Sequence, residues 1–502
     1  MPTDILVWHR RDLRVRDNAA LAAAARDGRP HPLFVFNPHF YRSDLICDAR
    51  IEFCHESLNS LDAAYRERGS RLAYAHGDPV SLLLDHLAAG TVDRIYYNAD
   101  VTAGYARERD RQLRAVDDAT AFEDDAIVRD ADEPRAGWRD NLKDYFEREP
   151  HDAPTDLPDN RLPEDPTPAA IADRYDVDGE KADRPTGGCD RARERLESFV
   201  ANIANYVGGI SPPAEAERRT SHLSPYLRFG CLSVRQAHRH AREHAAGGRA
   251  RSLFTERLAW NRHFTQKLQD NPALREVAIN PVFRGMNRER HDEDREAAWK
   301  AGQTGFPLVD ASMRALRETG WLNFRMRAMC ASFFTYVLGC YWKRGADWFY
   351  RHLLDADPAI NYAQWQMQSG LVGVHPLRVY DPRKQVREND PEGAFVREYV
   401  PELRPFPTEY LDRPERAPEP VQQECGVLIG EDYPAPIVDF EARREAALDR
   451  WAELGDRARE ALADPEVSRR ASLSRSRDRA GGGVENGREP RPDEQRGLDD
   501  FA

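Results

Sequence analysis

Lysine is nearly absent from this chain of 502 residues, in which only six of the 73 Lys and Arg residues are Lys. The remaining 67 Arg, together with abundant Asp, are typical of a halophile with a GC-rich genome. High salt screens contacts with phosphate groups, so a nucleic-acid ligand would have to depend more on stacking and on shape.

Other absences exclude whole classes of protein. No apolar run reaches the ~18 residues that a membrane span requires, and the apolar run in the N-terminal MPTDILVWHRRDLR is too short for a signal peptide. The seven Cys are scattered without a CxxC pair, which argues for reduced thiols and against structural zinc or an iron–sulfur cluster. We therefore expect a cytoplasmic protein that has no metal site and no contact with a membrane. A GxGxxG dinucleotide fingerprint is also absent.

The charge is distributed unevenly along the chain. The net charge of −13 argues weakly against nucleic acid, but residues 201–400 contain 29 Lys and Arg against 21 Asp and Glu. A basic middle in an acidic protein can form a phosphate-binding face. Solvated helix surface is the alternative interpretation.

The hydrophobic pattern predicts two domains. Short apolar segments at 4–9, 31–36, 71–77 and 92–98 alternate with helical segments, which predicts an N-terminal α/β domain (1–130) with a parallel, doubly wound sheet. Residues 131–190 are rich in Pro, Asp and Arg and are expected to be a connector with some helix at 140–147. Residues 191–465 predict a large all-α domain, and 466–502 are expected to be disordered.

Residues 321–365 are unusual for a core that serves only stability, because they contain four of the nine Trp. A buried indole needs a partner for its N–H. The same stretch contains Arg327, the pair Asp355 and Asp357, and Asn361 in apolar surroundings. This pattern indicates a path for an electron and a flat polar ligand held between helices.

Several motifs carry a resemblance to a known family. They are LVWHRRDLRVRDNAAL near the N-terminus, TSHLSPYLRFGCLSVRQ (220–236), WKAGQTGFPLVDASMRALRETGWL (299–322), and the run from Asp355 through DPEGAFVREYVPEL (390–403). In this order and spacing the chain resembles the cryptochrome/photolyase family. The resemblance implies an antenna-type α/β domain joined by a long connector to a helical domain that binds FAD.

The resemblance also implies a set of residues that bind FAD. Hydroxyl groups at a helix start are expected to hold the pyrophosphate, an Arg–Asp pair and a second Asp are expected beside the flavin ring, and an Asn is expected to face flavin N5. An ordinary helix N-cap and a structural salt bridge are the alternatives. The implied residues are Tyr206, Thr220, Ser221, His222, Leu223, Ser224, Arg327, Asp355, Asp357 and Asn361.

Two tryptophans match the inner part of the family's electron relay. Trp365 and Trp342 occupy the first two positions outward from the flavin, whereas the third usual position has no Trp here. Trp299 or Trp348 could end the path instead. The alternative for any of these indoles is packing in the core.

The residues expected to read the substrate depart from the family pattern. Trp260 matches one aromatic wall of the pocket for two flipped bases, but Arg257 stands where dimer-repair members have a Glu. Asn323 and Phe324 replace the usual His-Asn pair, and Met367 replaces a second aromatic wall. We therefore predict an altered substrate site formed by Trp260, Arg257, Asn323 and Met367.

Two further features concern a protein partner and a second chromophore. Near the C-terminus, Gln495, Leu498 and Phe501 have the spacing Q-x-x-L-x-x-F, which resembles peptides that dock on the DNA sliding clamp. A random acidic terminus is the alternative. The antenna chromophore stays open between a folate, a deazaflavin and none, because the segment Tyr105–Asp110 lacks the Asn-Glu pair of folate-binding members.

Two functions follow from the resemblance. The first is a light-driven lyase that repairs cyclobutane pyrimidine dimers in UV-damaged DNA with an electron from reduced FAD. The second is a cryptochrome photoreceptor, in which photoreduction of the flavin changes the binding of a partner. The basic middle, Trp260, Asn361 and the tail motif favour repair, whereas Arg257, Phe324 and Met367 favour the photoreceptor.

Overall fold

A computed structural model describes residues 2–101, 104–129, 137–179, 181, 183–373 and 377–471. Its first domain is built on a parallel five-stranded sheet with strand order β3-β2-β1-β4-β5. The strands are β1 (Thr3–His9), β2 (Gly28–Phe36), β3 (Ala73–His76), β4 (Arg94–Asn98) and β5 (Ala119–Phe122). The predicted doubly wound sheet is confirmed, and β5 is an additional strand that the sequence pattern did not indicate.

The central strand β1 shows why the sheet is covered on both faces. Successive side chains of a strand point to opposite faces. Ile5 and Val7 belong to one apolar cluster, whereas Leu6 and Trp8 belong to another. Strands buried on both faces are typical of parallel sheets flanked by helices.

Some helices of the first domain begin at capping side chains. At the first helix, the side chain of Asn18 accepts a hydrogen bond from the backbone N–H of Leu21. Asp78 caps the helix that begins at Pro79 in the same way, through the backbone N–H of Ser81. The helices are α1 (Ala19–Asp27), α2 (Pro38–Tyr41), α3 (Asp48–Arg66), α4 (Pro79–Ala88) and α5 (Tyr105–Arg114).

The connector contains two helices, α6 (Trp138–Glu147) and α7 (Pro168–Arg174). The first corresponds to the helix predicted at 140–147. The second was not indicated by the sequence; it begins at Thr167, whose side chain accepts a hydrogen bond from the Ala170 N–H.

The second domain is helical and surrounds the larger apolar core. Within the described residues its helices are α8 (Cys189–Ala201), α9 (Tyr206–Gly209), α10 (Pro213–Arg219), α11 (Ser224–Phe229), α12 (Val234–His244), α13 (Arg249–Asp270), α14 (Glu293–Ala301), α15 (Pro307–Thr319), α16 (Phe324–Ser332), α17 (Trp342–His352), α18 (Pro358–Gln368), α19 (Pro382–Asn389), α20 (Ala394–Tyr399), α21 (Glu419–Cys425), α22 (Phe440–Ala463) and α23 (Pro465–Arg470). Helix α23 lies across the start of the tail predicted at 466. Among the described residues no helix is both long and apolar enough to cross a membrane.

Buried ion pairs join the two domains. Arg235 on α12 donates to both Asp17 and Asp124 of the α/β domain, and its guanidinium lies 4.7 Å from the ring centre of Tyr145 in the connector. Burial would by itself raise the pKa of Asp17, but the charges of Arg14 and Arg235 hold that pKa below its usual value. This network fixes how the carboxyl edge of the sheet faces the helical domain.

Candidate cofactor site

A cavity lies between the carboxyl edge of the sheet and the helical domain. One wall comes from the segments that follow β1, β4 and β5. The other includes residues of α11, α12, α13, α16 and α18 and the residues before α18, and Tyr145 of α6 also lines the cavity. Ligands of open α/β sheets bind at this edge. The site residues on its helical wall are Ser224, Arg327, Asp355, Asp357 and Asn361.

Arg327 and Asp355 form the predicted ion pair. Nη1 and Nη2 of Arg327 donate to the two carboxylate oxygens of Asp355 at 3.2 and 3.0 Å. The Nε–H donates to the carbonyl of Leu322 at 2.8 Å. This two-pronged geometry holds the guanidinium plane in one orientation at the cavity wall.

Asp357 has a different role for each carboxylate oxygen. Oδ1 accepts hydrogen bonds from the backbone N–H groups of Ala359 and Ile360, so it caps α18. Oδ2 lies 3.4 Å from Nη1 of Arg11 and 3.7 Å from Nη1 of Arg228. Asp357 therefore links the helix to two cations of the cavity.

Asn361 lies one turn further along α18 and is largely buried. Its side-chain N–H donates to the carbonyl of Ala346 on α17 at 2.9 Å. That bond fixes the amide, so its orientation does not depend on a ligand. It lies on the same cavity wall as the Arg327–Asp355 pair.

The hydroxyl residues around 220 do not cap α11. The helix begins after Leu223, and no side chain caps its N-terminus. Thr220 donates to the carbonyl of Ala216 in the preceding helix, and the Ser221 hydroxyl accepts from the N–H of Leu223 at 3.4 Å. The alternative of an ordinary N-cap is therefore wrong for this helix.

The remaining predicted FAD residues are mostly buried. Tyr206 and Leu223 pack in one apolar cluster. His222, whose backbone φ is +49°, has its ring 4.4 Å from that of Trp321. Burial, and then the charge of Arg195, lowers the pKa of His222 to about 4, so this imidazole is neutral at neutral pH.

The donor set fits FAD. Arg228 donates from Nε to the carbonyl of Ala356 at 2.6 Å, whereas its buried Nη1 has no hydrogen-bond partner within the described part of the chain. Asp357 Oδ2 lies 3.7 Å from this atom, too far for a hydrogen bond, and a buried donor that makes none calls for a ligand atom or water. With Arg327, two carboxylates and a fixed amide on one wall, the cavity offers the donors and acceptors that a flavin edge requires.

The predicted relay residues Trp365 and Trp342 are both buried in the larger apolar core. A methyl group at Gly345 would lie 2.4 Å from Cη2 of Trp365, so this glycine lets α17 approach the indole closely. Trp342 precedes Gly345 by one turn of α17 and is also buried. The two predicted relay positions therefore lie on helices α17 and α18, which pack against each other at Gly345.

Trp299 is in direct contact with Trp365, the predicted inner relay residue. Its ring centre lies 6.1 Å from that of Trp365, with the planes at 82°. Phe334 and Phe349 complete this aromatic cluster around Trp365. Trp348 lies elsewhere, with the Lys300 ammonium 4.8 Å from its ring centre. The sequence contained Trp299 but no spacing that placed it against Trp365.

Part of the predicted substrate shell forms a cluster on α13 and α16. The Arg257 guanidinium lies 5.3 Å from the ring centre of Trp260 and 6.0 Å from that of Phe324. All three side chains are partly exposed. A cation between two aromatic faces combines a charge with stacking surfaces.

Asn323 and Met367 are placed differently. Asn323 accepts from the Met326 N–H at the start of α16 and donates to the carbonyls of Ile210 and Ser211. Its polar atoms are thus engaged in capping α16 and tethering the loop after α9. Met367 is half-buried against the larger core.

Two predictions concern other parts of the chain. Gln495, Leu498 and Phe501 lie outside the described residues. In the segment that lacks the Asn-Glu pair of folate-binding members, Tyr105 donates to Asp78 and Asp110 pairs with Arg10. The carboxylate of Asp110 is therefore already neutralised within the α/β domain.

Among the cavity residues that sequence reasoning missed, Arg11 and Arg228 are the two that face Asp357. Both lie inside motifs that carried the resemblance, but no local pattern shows that they meet Asp357. Only a contact between domains brings Arg11 there.

Comparisons with known proteins agree with this geometry. Residues 5–127 match the family model described as DNA photolyase, and residues 254–453 match the FAD binding domain of DNA photolyase. A deoxyribodipyrimidine photo-lyase of Synechococcus sp. is 33% identical, over 93% of this chain and 99% of that relative. One of Halobacterium salinarum is 31% identical, over 88% of this chain and 98% of the relative.

A solved structure has the same fold. The bacterial class III photolyase from Agrobacterium tumefaciens superimposes with a TM-score of 0.77 at 28% identity, covering 91% of this chain and 98% of that one. The chain therefore belongs to the DNA photolyase family, with an α/β domain followed by a helical FAD-binding domain.

Proposed function

We propose that this protein repairs cyclobutane pyrimidine dimers in UV-damaged DNA, as a light-driven carbon–carbon lyase. The observation that carries the proposal is the interdomain cavity, where Arg327, Asp355, Asp357 and Asn361 share one wall. The names of relatives that match nearly the whole chain support the same reaction. DNA is the partner that the reaction requires.

In this reaction the protein's own residues position the cofactor and keep water away from it, and they perform no acid–base chemistry. When bound and reduced, FAD supplies a photoexcited electron that splits the dimer and then returns. Arg327, held by Asp355, would supply a positive charge to a reduced flavin ring that carries negative charge. Asn361, held by Ala346, would offer its amide to the flavin, and the apolar core behind α18 would exclude water.

The cluster of Arg257, Trp260 and Phe324 is proposed as the lesion-reading surface. Trp260 offers a face for stacking on an extruded base. Arg257 donates hydrogen bonds to carbonyl oxygens of the lesion or to its phosphate, in place of a carboxylate that would accept them. Met367 supplies an apolar contact, whereas Asn323 acts on the substrate only through α16.

The photoreceptor is the second candidate. The contacts of Trp365 with Gly345 and with Trp299 favour it, because an electron can reach the flavin through buried indoles with or without repair. A repair enzyme removes dimers under light. A receptor photoreduces its flavin but leaves the dimers in place.

The finer assignments of partner and location also belong to the proposal. The spacing of Gln495, Leu498 and Phe501 supports docking on the DNA sliding clamp in the cytoplasm. Binding of the C-terminal peptide to purified clamp, lost when Leu498 and Phe501 are both replaced by Ala, tests this part alone.

The test of repair uses purified, FAD-loaded and reduced protein. Single-stranded and duplex oligonucleotides, each with one cyclobutane thymine dimer, are exposed to blue light or kept dark, and restored thymines are quantified by chromatography. Light-dependent loss of dimers is expected with at least one substrate. Intact dimers despite complete photoreduction of the flavin would refute repair and favour the receptor.

Variants assign the substrate surface. Trp260→Ala and Arg257→Gln are expected to lower dimer loss at limiting DNA, while FAD content stays unchanged. Arg249→Gln is the matched control, because it removes the same charge from the exposed start of α13. Equal losses in Arg257→Gln and Arg249→Gln would show a general charge effect rather than a contact with the lesion.

A further inference from the structure

Arg11 connects the first domain to the proposed flavin site. It lies in the loop between β1 and α1. Its Nε donates to Asp100 Oδ2 at 2.7 Å, and its Nη2 donates to the other carboxylate oxygen of Asp100. Its Nη1 reaches across the domain boundary to Asp357 Oδ2 at 3.4 Å.

The carboxylate that Arg11 reaches is one that orders the cofactor wall. Asp357 caps α18 with its other oxygen, and α18 carries both Asn361 and Trp365. Nη1 of Arg228 lies 3.7 Å from the same oxygen. Two guanidinium groups, one from each domain, thus face a single carboxylate oxygen.

We propose that Arg11 is a positioning residue through which the α/β domain holds Asp357 and sets the balance between oxidised and reduced flavin. The inference rests on the placement of FAD in the proposed function, but not on repair. Arg11 acts through Asp357 and through its own charge, and it needs no contact with the reacting atoms.

The charges around Arg11 support this role. Burial alone would raise the pKa of Asp100, but the charge and hydrogen bonds of Arg11 hold it below its usual value. Asp100 is therefore ionised and neutralises part of the charge of Arg11. Removal of Arg11 takes one positive charge away from Asp100 and Asp357, although Arg228 still faces Asp357. The charge at the cofactor wall then becomes more negative, which disfavours a reduced ring that carries negative charge. Removal of Asp100 takes away one negative charge of the same cluster and has the opposite effect.

Because the two substitutions should shift the redox balance in opposite directions, they distinguish an effect of charge from a general loss of stability. FAD-loaded protein is titrated in the dark against dyes of known potential, and the flavin spectrum gives the ratio of reduced to oxidised FAD. At a fixed buffer potential we expect Arg11→Gln to lower this ratio roughly threefold or more and Asp100→Asn to raise it. Arg11→Lys, which keeps the charge, should lie between Arg11→Gln and the parent.

Arg50→Gln is the matched control. Arg50 also bridges the domains, but it donates to the carbonyls of Tyr350 and Leu353 and not to a carboxylate. We expect it to lower stability while leaving the redox ratio unchanged. If Arg11→Gln fails to retain FAD, Asp100→Asn decides the test: a higher ratio of reduced to oxidised FAD supports the inference, and an unchanged or lower ratio refutes it.

Two outcomes would overturn the inference. One is an unchanged ratio in both Arg11→Gln and Asp100→Asn, and the other is a shift of both in the same direction, as a general loosening of the site would produce. Absence of dimer repair combined with shifts of opposite sign would refute the proposed function alone.

Discussion

His352, at the C-terminal end of α17, should make the stability of the protein depend on acid. It is 8% exposed, and within the described residues neither ring nitrogen has a hydrogen-bond partner. Burial, followed by the charges of Lys181 and Arg351, lowers its pKa from 6.5 to about 3. The folded protein therefore keeps this imidazole neutral, whereas the unfolded chain protonates it near pH 6.5.

The sign and size follow from proton linkage. Because the folded pKa is depressed, the unfolded state binds more protons below pH 6.5, and stability falls as the pH falls until about pH 3. Between pH 7.5 and pH 5.0, His352 of the unfolded chain is mostly protonated only below pH 6.5, that is over about 1.5 pH units. At about 1.4 kcal/mol per unit, His352 should cost about 2 kcal/mol of unfolding free energy over that interval.

The assay compares urea unfolding of FAD-loaded parent and His352→Leu at both pH values. The variant has no proton to bind and no unpaired nitrogens, so it should equal or exceed the parent at pH 7.5 and lose about 2 kcal/mol less on acidification. His244→Leu, at a histidine whose side chain is 59% exposed, is the control and should keep the parent's pH dependence. An identical pH dependence in the parent and in His352→Leu would refute the reasoning.

Three further predictions concern the site and the domain interface. Arg327→Met leaves the carboxylate of Asp355 unpaired. Because the arginine is partly exposed, we expect a loss of about 2 kcal/mol in the free energy of urea unfolding, together with loss of FAD in gel filtration. Unchanged FAD retention would contradict the assignment. Trp365→Phe should nearly abolish photoreduction of oxidised flavin, measured by absorbance under blue light, while FAD content stays constant; undiminished photoreduction would exclude this indole from the path. Arg235→Leu strands the buried Asp17 and should cost about 3–5 kcal/mol in urea unfolding, whereas a change below about 1 kcal/mol would show that the interdomain network is dispensable.

Features that depend on neighbouring residues, such as strands and helix starts, could be predicted from the sequence alone. The apolar segment at 4–9 predicted β1, and its alternation with helical segments predicted a parallel sheet, because burial on both faces requires continuous apolar strands. Likewise Asp78 with Pro79 marked a helix start, since capping depends only on neighbouring residues. The resemblance supplied the FAD domain and the Arg327–Asp355 pair, which the structure shows as a two-pronged ion pair.

Contacts between distant segments required the tertiary structure. Asn323 was predicted to bind substrate, but the packing of α16 on the loop after α9 engages its amide. Trp299 could not be placed from sequence, since its contact with Trp365 depends on how α14 meets α18.

Arg11 shows the difference most clearly. Its identity and its place in the β1–α1 loop are local facts of the chain. Its meeting with Asp357, 346 positions away, depends on how the α/β domain docks on the helical domain. Sequence periodicity records which face of each element is buried, but not which distant charge that face will meet. The sequence by itself therefore determined the two domains and their core, whereas docking of one domain on the other decided which charges surround the cofactor site.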